Sequence, residues 1–258
     1  MREDACGRRP PGENGMPTAW LRRRALVLAL AAAPFMAAPG VAADGFKSAV
    51  VALALWSDPV FRSEATGAAA VLAGRYGHGG PVIVRANTAR ALVNGPDGIR
   101  RALAVARRGM DPAHDVLFLV LTSHGAPDGI AERGGGREGL VPPAAIGALL
   151  AESPFRRKVL IVSACFAGTY TALAGPGTLV ITAADATHAS FGCQPEARWT
   201  YFGDALFNQA LRHDASLAQA FGEARSIVAA REAAQGFAPS NPQMVGGDDV
   251  LTLLDTAP

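Results

Sequence analysis

Four apolar runs of strand length constrain this chain more than anything else in it: SAVVALALW (48–56), DVLFLVLTS (115–123), KVLIVSA (158–164) and GTLVITAA (177–184), with a weaker fifth, PVIVRA, at 81–86. Each is apolar on consecutive residues. A strand with one wet face alternates, whereas a strand covered on both faces of a parallel sheet does not. The stretches between them read as helices: 62–77, 96–109 with Ile99, Leu103 and Ala106 at helical spacing, and 142–153 opening on two prolines. Two more follow the last run, at 199–213 and 216–235. Strands alternating with helices predict an α/β chain, a three-layer α/β/α domain with a mostly parallel sheet. Gly134 to Gly136 mark the turn of a short hairpin over the end of the sheet.

The first 43 residues stand apart from that pattern. Arg22, Arg23 and Arg24 precede a 14-residue apolar run (25–38), and Val41-Ala42-Ala43 offers a small-x-small cleavage site. This is the layout of a secretory signal peptide, with Met16 an alternative start and cleavage leaving Asp44 first. The expected organisation is therefore a leader over 1–43 and one domain over 44–258, exported to the periplasm or secreted. An uncleaved anchor is the alternative; the run is short for a membrane span and Pro34 interrupts it. Residues 1–43 hold six arginines and three acids, so their removal takes the 24 basic and 22 acidic residues to 18 and 19, a net charge of −1. No basic excess remains to suggest a nucleic-acid partner. Half of the chain is apolar and 18% is charged, enough for a sizeable core.

In a parallel sheet the C-terminal strand ends form one rim, where ligands and catalytic groups collect. Two runs end there in reactive residues, one in Ser123-His124-Gly125 and the other in Cys165. Neighbouring strands lie about 5 Å apart, close enough for an imidazole and a thiol just beyond them to meet. An imidazole can lower a thiol pKa until the thiolate is the resting nucleophile. Gly125 leaves room for a substrate, and its N–H together with that of Cys165 could hold an oxyanion. A helix starting after Cys165 would add its positive end. Other readings stay open. Cys165 could be a core thiol, or could pair with Cys193 in a disulfide once Cys6 leaves with the leader. Asp185, at the end of the run 177–184, could touch a ligand on the rim or cap the segment that follows. There is no G-x-S-x-G, H-E-x-x-H, Walker A or C-x-x-C motif, and the pattern calls for no metal or cofactor.

LTSHG (121–125) followed by VSACFAG (162–168) resembles the His-Gly and Ala-Cys blocks of legumain-like cysteine peptidases, the family of asparaginyl endopeptidases and the GPI transamidase catalytic subunit. LVITAADATHASFGC (179–193), the segment from Trp199 to Leu211, and the first strand with FRSEA (61–65) resemble further blocks of that family in the same order. The resemblance spans about Ser48 to Val245 and implies a caspase-like fold and peptidase chemistry on peptide or protein substrates. It implies Cys165 as nucleophile, His124 as general acid/base and Gly125 in the oxyanion hole, with Cys193 structural. Arg62, Ser190 and Asp204 fall where the family builds a charged pocket for asparagine. Three departures stand out: Ser63 follows the pocket arginine in place of His, Ser163 replaces the acid two residues before the nucleophile, and Val60 replaces the Asn that steadies the catalytic His. These departures leave Asn or Asp preference open, with an acidic residue favoured by Arg62. A transpeptidase of the same fold and a silent peptide-binding domain are the rival functions.

Overall fold

Alternate residues of the central strands look in opposite directions, and in this chain both directions lead into a core. Val50, Ala52 and Ala54 pack in one cluster, while Ala49, Val51 and Leu53 pack in the other. That is why the runs show no polar alternation. The computed structural model describes residues 45–194, 196–213 and 216–255; the leader proposed for 1–43 lies outside them.

Nine strands and six helices appear among the described residues. The central sheet consists of β1 (Ser48–Ala54), β2 (Val82–Ala86), β3 (Val116–Thr122), β7 (Arg157–Ser163), β8 (Thr178–Thr182) and β9 (Gln243–Val245), in the order β2-β1-β3-β7-β8-β9. The first five are parallel, and β9 runs antiparallel to β8. Helices α1 (Pro59–Tyr76), α5 (Leu217–Gln235) and α6 (Asp248–Asp255) contribute to one core cluster, while α2 (Pro96–Ala106) and α3 (Pro143–Glu152) contribute to the other. The result is the three-layer α/β/α architecture expected from the sequence.

The hairpin expected around Gly134–Gly136 is present as β5 (Gly129–Gly134) and β6 (Arg137–Val141), with β4 (Gly125–Ala126) paired to β5. Gly135 and Gly136 take φ of 57° and 74°, the left-handed values that a two-residue hairpin turn needs and that glycine adopts without strain. The hairpin is anchored on the strand ends: Arg133 N–H donates to Leu55 O at 2.9 Å and Ala131 N–H to His124 O at 2.9 Å. The Tyr170 hydroxyl accepts from Ile130 N–H at 2.8 Å and donates to Val141 O. Burial pushes that phenol up to about 12, so it stays un-ionised and keeps both bonds.

Three local differences from the sequence reading bear on the site. Helix α1 starts at Pro59, three residues before the expected boundary, with proline where a first turn tolerates it. The expected helix 199–213 is a short α4 (Tyr201–Gly203) that continues as a π-helical stretch over Asp204–Gln209 and a 3₁₀ turn over Ala210–Arg212. After Cys165 comes a 3₁₀ helix over Ala167–Leu173, entered through Phe166 at φ 56°. It is a single short element, so the helix dipole expected behind the thiol is weak.

Candidate active site

Strands β1 and β3 are neighbours whose outgoing connections run to opposite sides of the sheet, β1 to edge strand β2 and β3 onward to β7. A parallel sheet opens a crevice at such a point, beyond the strand ends. Trp56 and Asp58 follow β1, His124 and Gly125 follow β3, and Cys165 follows β7. Thr122 and Ser163 are register partners, so His124 and Cys165 each lie two residues past a paired position. Gly125 packs directly on the Cys165 backbone; a Cβ there would sit 2.0 Å from Cys165 O and 3.1 Å from its N. Only glycine permits that approach.

Cys165 is a free thiol, which excludes the disulfide with Cys193. Cys193 is buried in the core cluster that contains α1 and α5. The Cys165 sulfur lies among polar groups of Ser190: it accepts from Ser190 N–H at 3.3 Å, can donate to Ser190 O at 3.4 Å, and has Ser190 Oγ 3.8 Å away. Burial pushes the Cys165 thiol pKa up, against hydrogen bonds from Ser190 and from the N–H groups of Cys165 and Gly125. Burial likewise pushes His124 below its usual value, against the upward pull of Asp58 and with Arg133 adding to the downward push. Both shifts favour the uncharged forms. These directions run against the thiolate expected at rest, because desolvation disfavours both charges.

His124 is held by rings the sequence reading did not anticipate. Trp56 and Phe61 meet it edge-on, at centroid distances of 5.0 and 4.9 Å. Its Nε2 lies 3.7 Å from Asp58 Oδ2. Val60, at the position where the family resemblance sets an asparagine, is fully buried in the core.

A second unanticipated residue lies beneath the rim. Glu64 of α1 is fully buried, with Oε1 accepting from Thr122 Oγ1 at 2.8 Å and Oε2 from Thr200 N–H at 2.8 Å. Thr200 Oγ1 in turn accepts from Gly203 N–H at 2.9 Å and lies 3.2 Å from Ser163 Oγ. Glu64 thus connects the ends of β1's helix, β3, β7 and α4 through buried hydrogen bonds. In a helical repeat it reads as one more wet residue, which is why the sequence did not reveal it.

The remaining candidates divide. Ser190 belongs to the site through its contacts with the sulfur. Ser163 does not line a substrate pocket: it is 1% exposed and engaged with Thr200, so its candidacy is corrected. Asp204, which the resemblance set in the same pocket as Arg62, has its carboxylate occupied elsewhere. Its carboxylate is taken by Arg231 at 2.8 Å, Asn208 at 2.8 Å and Gln209 at 2.9 Å. Burial acts to raise the Asp204 pKa, but these bonds outweigh it and hold it low. Arg62 is exposed, and among the described residues no acid pairs with it. Asp185 acts as the cap that was one of its two readings. Its Oδ1 accepts from Thr187 N–H at 2.8 Å and His188 N–H at 2.9 Å, and its Oδ2 takes Asn241 Nδ2 at 2.9 Å. His188 O then accepts from Phe166 N–H at 2.9 Å, so this loop braces the residue after Cys165. Among the described residues no group of three His, Cys, Asp or Glu could hold a metal ion, and no helix is long and apolar enough to cross a membrane.

The model of the peptidase C13 family matches residues 100–249, which contain His124 and Cys165; β1 and Arg62 of α1 lie outside the match. Among solved structures, caspase-1 from Spodoptera frugiperda is 13% identical with a TM-score of 0.55, over 78% of this chain and 88% of that one. The structure described as pro-sf-caspase-1 is 11% identical with a TM-score of 0.54, over 78% and 91%. At these identities the likeness establishes the caspase-like fold. No curated protein sequence matches the chain. Family match and fold together define a cysteine-type peptidase, a hydrolase acting on the peptide bonds of protein substrates. The chain belongs to the peptidase C13 family, that of legumain.

Proposed function

We propose that this peptidase is an exported endopeptidase whose nucleophile is Cys165 and whose general acid/base is His124. The observation that carries this reading is the setting of the Cys165 sulfur: a free thiol at a strand end, ringed by the N–H groups of Ser190, Gly125 and its own residue, with His124 at the matching end of the neighbouring strand. With both groups neutral at rest, His124 takes the thiol proton as sulfur attacks the scissile carbonyl. The carbonyl electron pair moves to oxygen, where the N–H groups of Gly125 and Cys165 stabilise it. Collapse breaks the C–N bond, and His124 returns the proton to the leaving amine. Water, deprotonated by His124, then cleaves the thioester and restores the thiol.

Arg62 suits an acidic residue on the acyl side of the cut. It is an exposed cation one position past Phe61, which touches His124, and Asp204 is committed to Arg231. Export rests on the leader pattern of residues 1–43.

The test is digestion of a diverse peptide mixture by the chain from Asp44, with Cys165→Ala in parallel and new termini read by mass spectrometry. Cuts after Asp or Glu that vanish in Cys165→Ala are the expected result. Cysteine-independent cuts refute the assignment of the nucleophile, and cuts with no acidic preference refute the role of Arg62. Cell fractionation and N-terminal sequencing test export; an intact leader on cytoplasmic protein contradicts it.

A further inference from the structure

We propose that Asp58 is the positioning acid of the site, turning His124 through its Nε2 so that Nδ1 is left as the nitrogen that exchanges protons with Cys165. This rests on the assignment of His124 and Cys165 as the catalytic pair.

Asp58 occupies the residue before the first turn of α1, with extended backbone (φ −69°, ψ 145°). Aspartate is among the preferred residues there because its carboxylate can accept a free N–H of the first turn. Asp58 makes no such bond. Its carboxylate is turned to His124 instead, with Oδ2 3.7 Å from Nε2. That separation is longer than a hydrogen bond, as catalytic contacts in unliganded sites often are, and it shortens readily when the ring becomes charged.

The imidazole has few other ways to settle. Trp56 and Phe61 approach it edge-on. The charged groups acting on it are Asp58 from the turn after β1 and Arg133 from β5, while Cys165 lies past the end of the neighbouring strand β7. Arg133 is itself paired with Glu138 of β6 at 3.2 Å and lies over the Trp56 ring. Among the described residues Asp58 is thus the acid in position to favour imidazolium in a pocket whose burial and whose arginine both oppose it.

Its role follows the course of the proton. In the resting pair Nε2–H points to the carboxylate, and Nδ1 carries the lone pair. When Nδ1 takes the thiol proton, the positive charge appears 3.7 Å from Oδ2 and is stabilised there. Asp58 takes up no proton. As the C–N bond breaks, Nδ1 passes its proton to the amine.

The test compares the parent protein with Asp58→Asn, Asp58→Ala and Asp58→Glu, alongside His124→Ala and Cys165→Ala. It measures kcat and KM on a cleaved peptide and the iodoacetamide alkylation rate of Cys165, from pH 4 to 9. Asn serves the helix start as well as Asp does, so Asp58→Asn should keep the parent melting temperature. Removing a charge about 4 Å from the ring lowers the imidazolium pKa. The acid limb of kcat/KM should therefore move about one pH unit lower, with kcat falling about tenfold and KM little changed. Asp58→Ala should shift the limb in the same way, and the charge-retaining Asp58→Glu should keep it near the parent position. An acid limb unmoved in both Asp58→Asn and Asp58→Ala overturns the inference while leaving the catalytic pair intact. Activity surviving in His124→Ala or Cys165→Ala overturns the pair itself, and the inference with it.

Discussion

Glu64→Gln is the substitution that probes the buried network beneath the rim. The carboxylate receives two donors, Thr122 Oγ1 and Thr200 N–H, each at 2.8 Å, at a side chain with no solvent exposure. Glutamine keeps the shape but offers one acceptor oxygen. With that oxygen on Thr200 N–H, the NH2 group faces Thr122 Oγ1, which can accept from it only by turning its own proton away from the acceptor it has now; with the oxygen on Thr122, the Thr200 N–H meets another donor. Gly203 leaves no room to turn aside, since even a Cβ on that glycine would lie 2.1 Å from Glu64 Oε2. A buried donor left unpaired costs about 1–3 kcal/mol, and relief from burying a charge offsets part of the remainder. A net loss of about 2 kcal/mol corresponds to a fall of roughly 4–8 °C in Tm for a domain of this size. Thermal unfolding followed by circular dichroism, with urea unfolding as a check on the m-value, measures it. kcat should fall as well, because Thr122 lies two residues before His124 and Thr200 contacts Ser163, two residues before Cys165. Glu64→Gln with the parent Tm would refute the view that this carboxylate fastens the strand ends together.

Three further outcomes follow from the same bonds. Tyr170→Phe removes the hydroxyl shared by Ile130 and Val141, leaving a buried N–H and C=O unpaired; a loss of about 1–3 kcal/mol in urea unfolding is expected. Ser216→Ala removes a capping box at the start of α5, in which Ser216 Oγ accepts from Gln219 N–H and Gln219 Oε1 from Ser216 N–H, and should cost about 1 kcal/mol. Asp185 tests acid stability. Burial tends to raise its pKa, yet hydrogen bonds from Asn241, Thr187 and His188 hold it well below the usual carboxylate range. Its contribution is therefore complete above the unfolded value of about 4 and is lost as pH falls below that. Asp185→Asn should flatten the fall of Tm below pH 4, and an unchanged slope would show that these bonds do not act on the folded state.

The sheet was legible because its strands carry apolar residues on both faces, a pattern that few other arrangements of this length produce. Ends and distortions were less so. The start of α1 escaped because Asp58-Pro59 precedes the part of the helix with a readable repeat, and the π-helical stretch at Asp204–Gln209 leaves no mark on spacing. β9 has three residues and α6 eight, too few for either period to show. Within the site, His124, Gly125 and Cys165 could be found because each lies within three residues of the end of a long apolar strand. Asp58 and Glu64 could not, because their roles depend on which strand lies beside which. Ser163 and Asp204 were drawn to the pocket by resemblance, whereas the fold turns them toward Thr200 and Arg231.

The claim on which the rest depends is that Cys165 attacks substrate with help from His124. It is tested most directly by a peptide bearing an acyloxymethyl ketone after an aspartate, incubated with the parent protein and with His124→Ala, and mapped by mass spectrometry. The account predicts one adduct, on Cys165, formed at least about a hundredfold more slowly in His124→Ala, as expected for loss of a general base. An adduct at a residue other than Cys165, or equal rates in the two proteins, would contradict it.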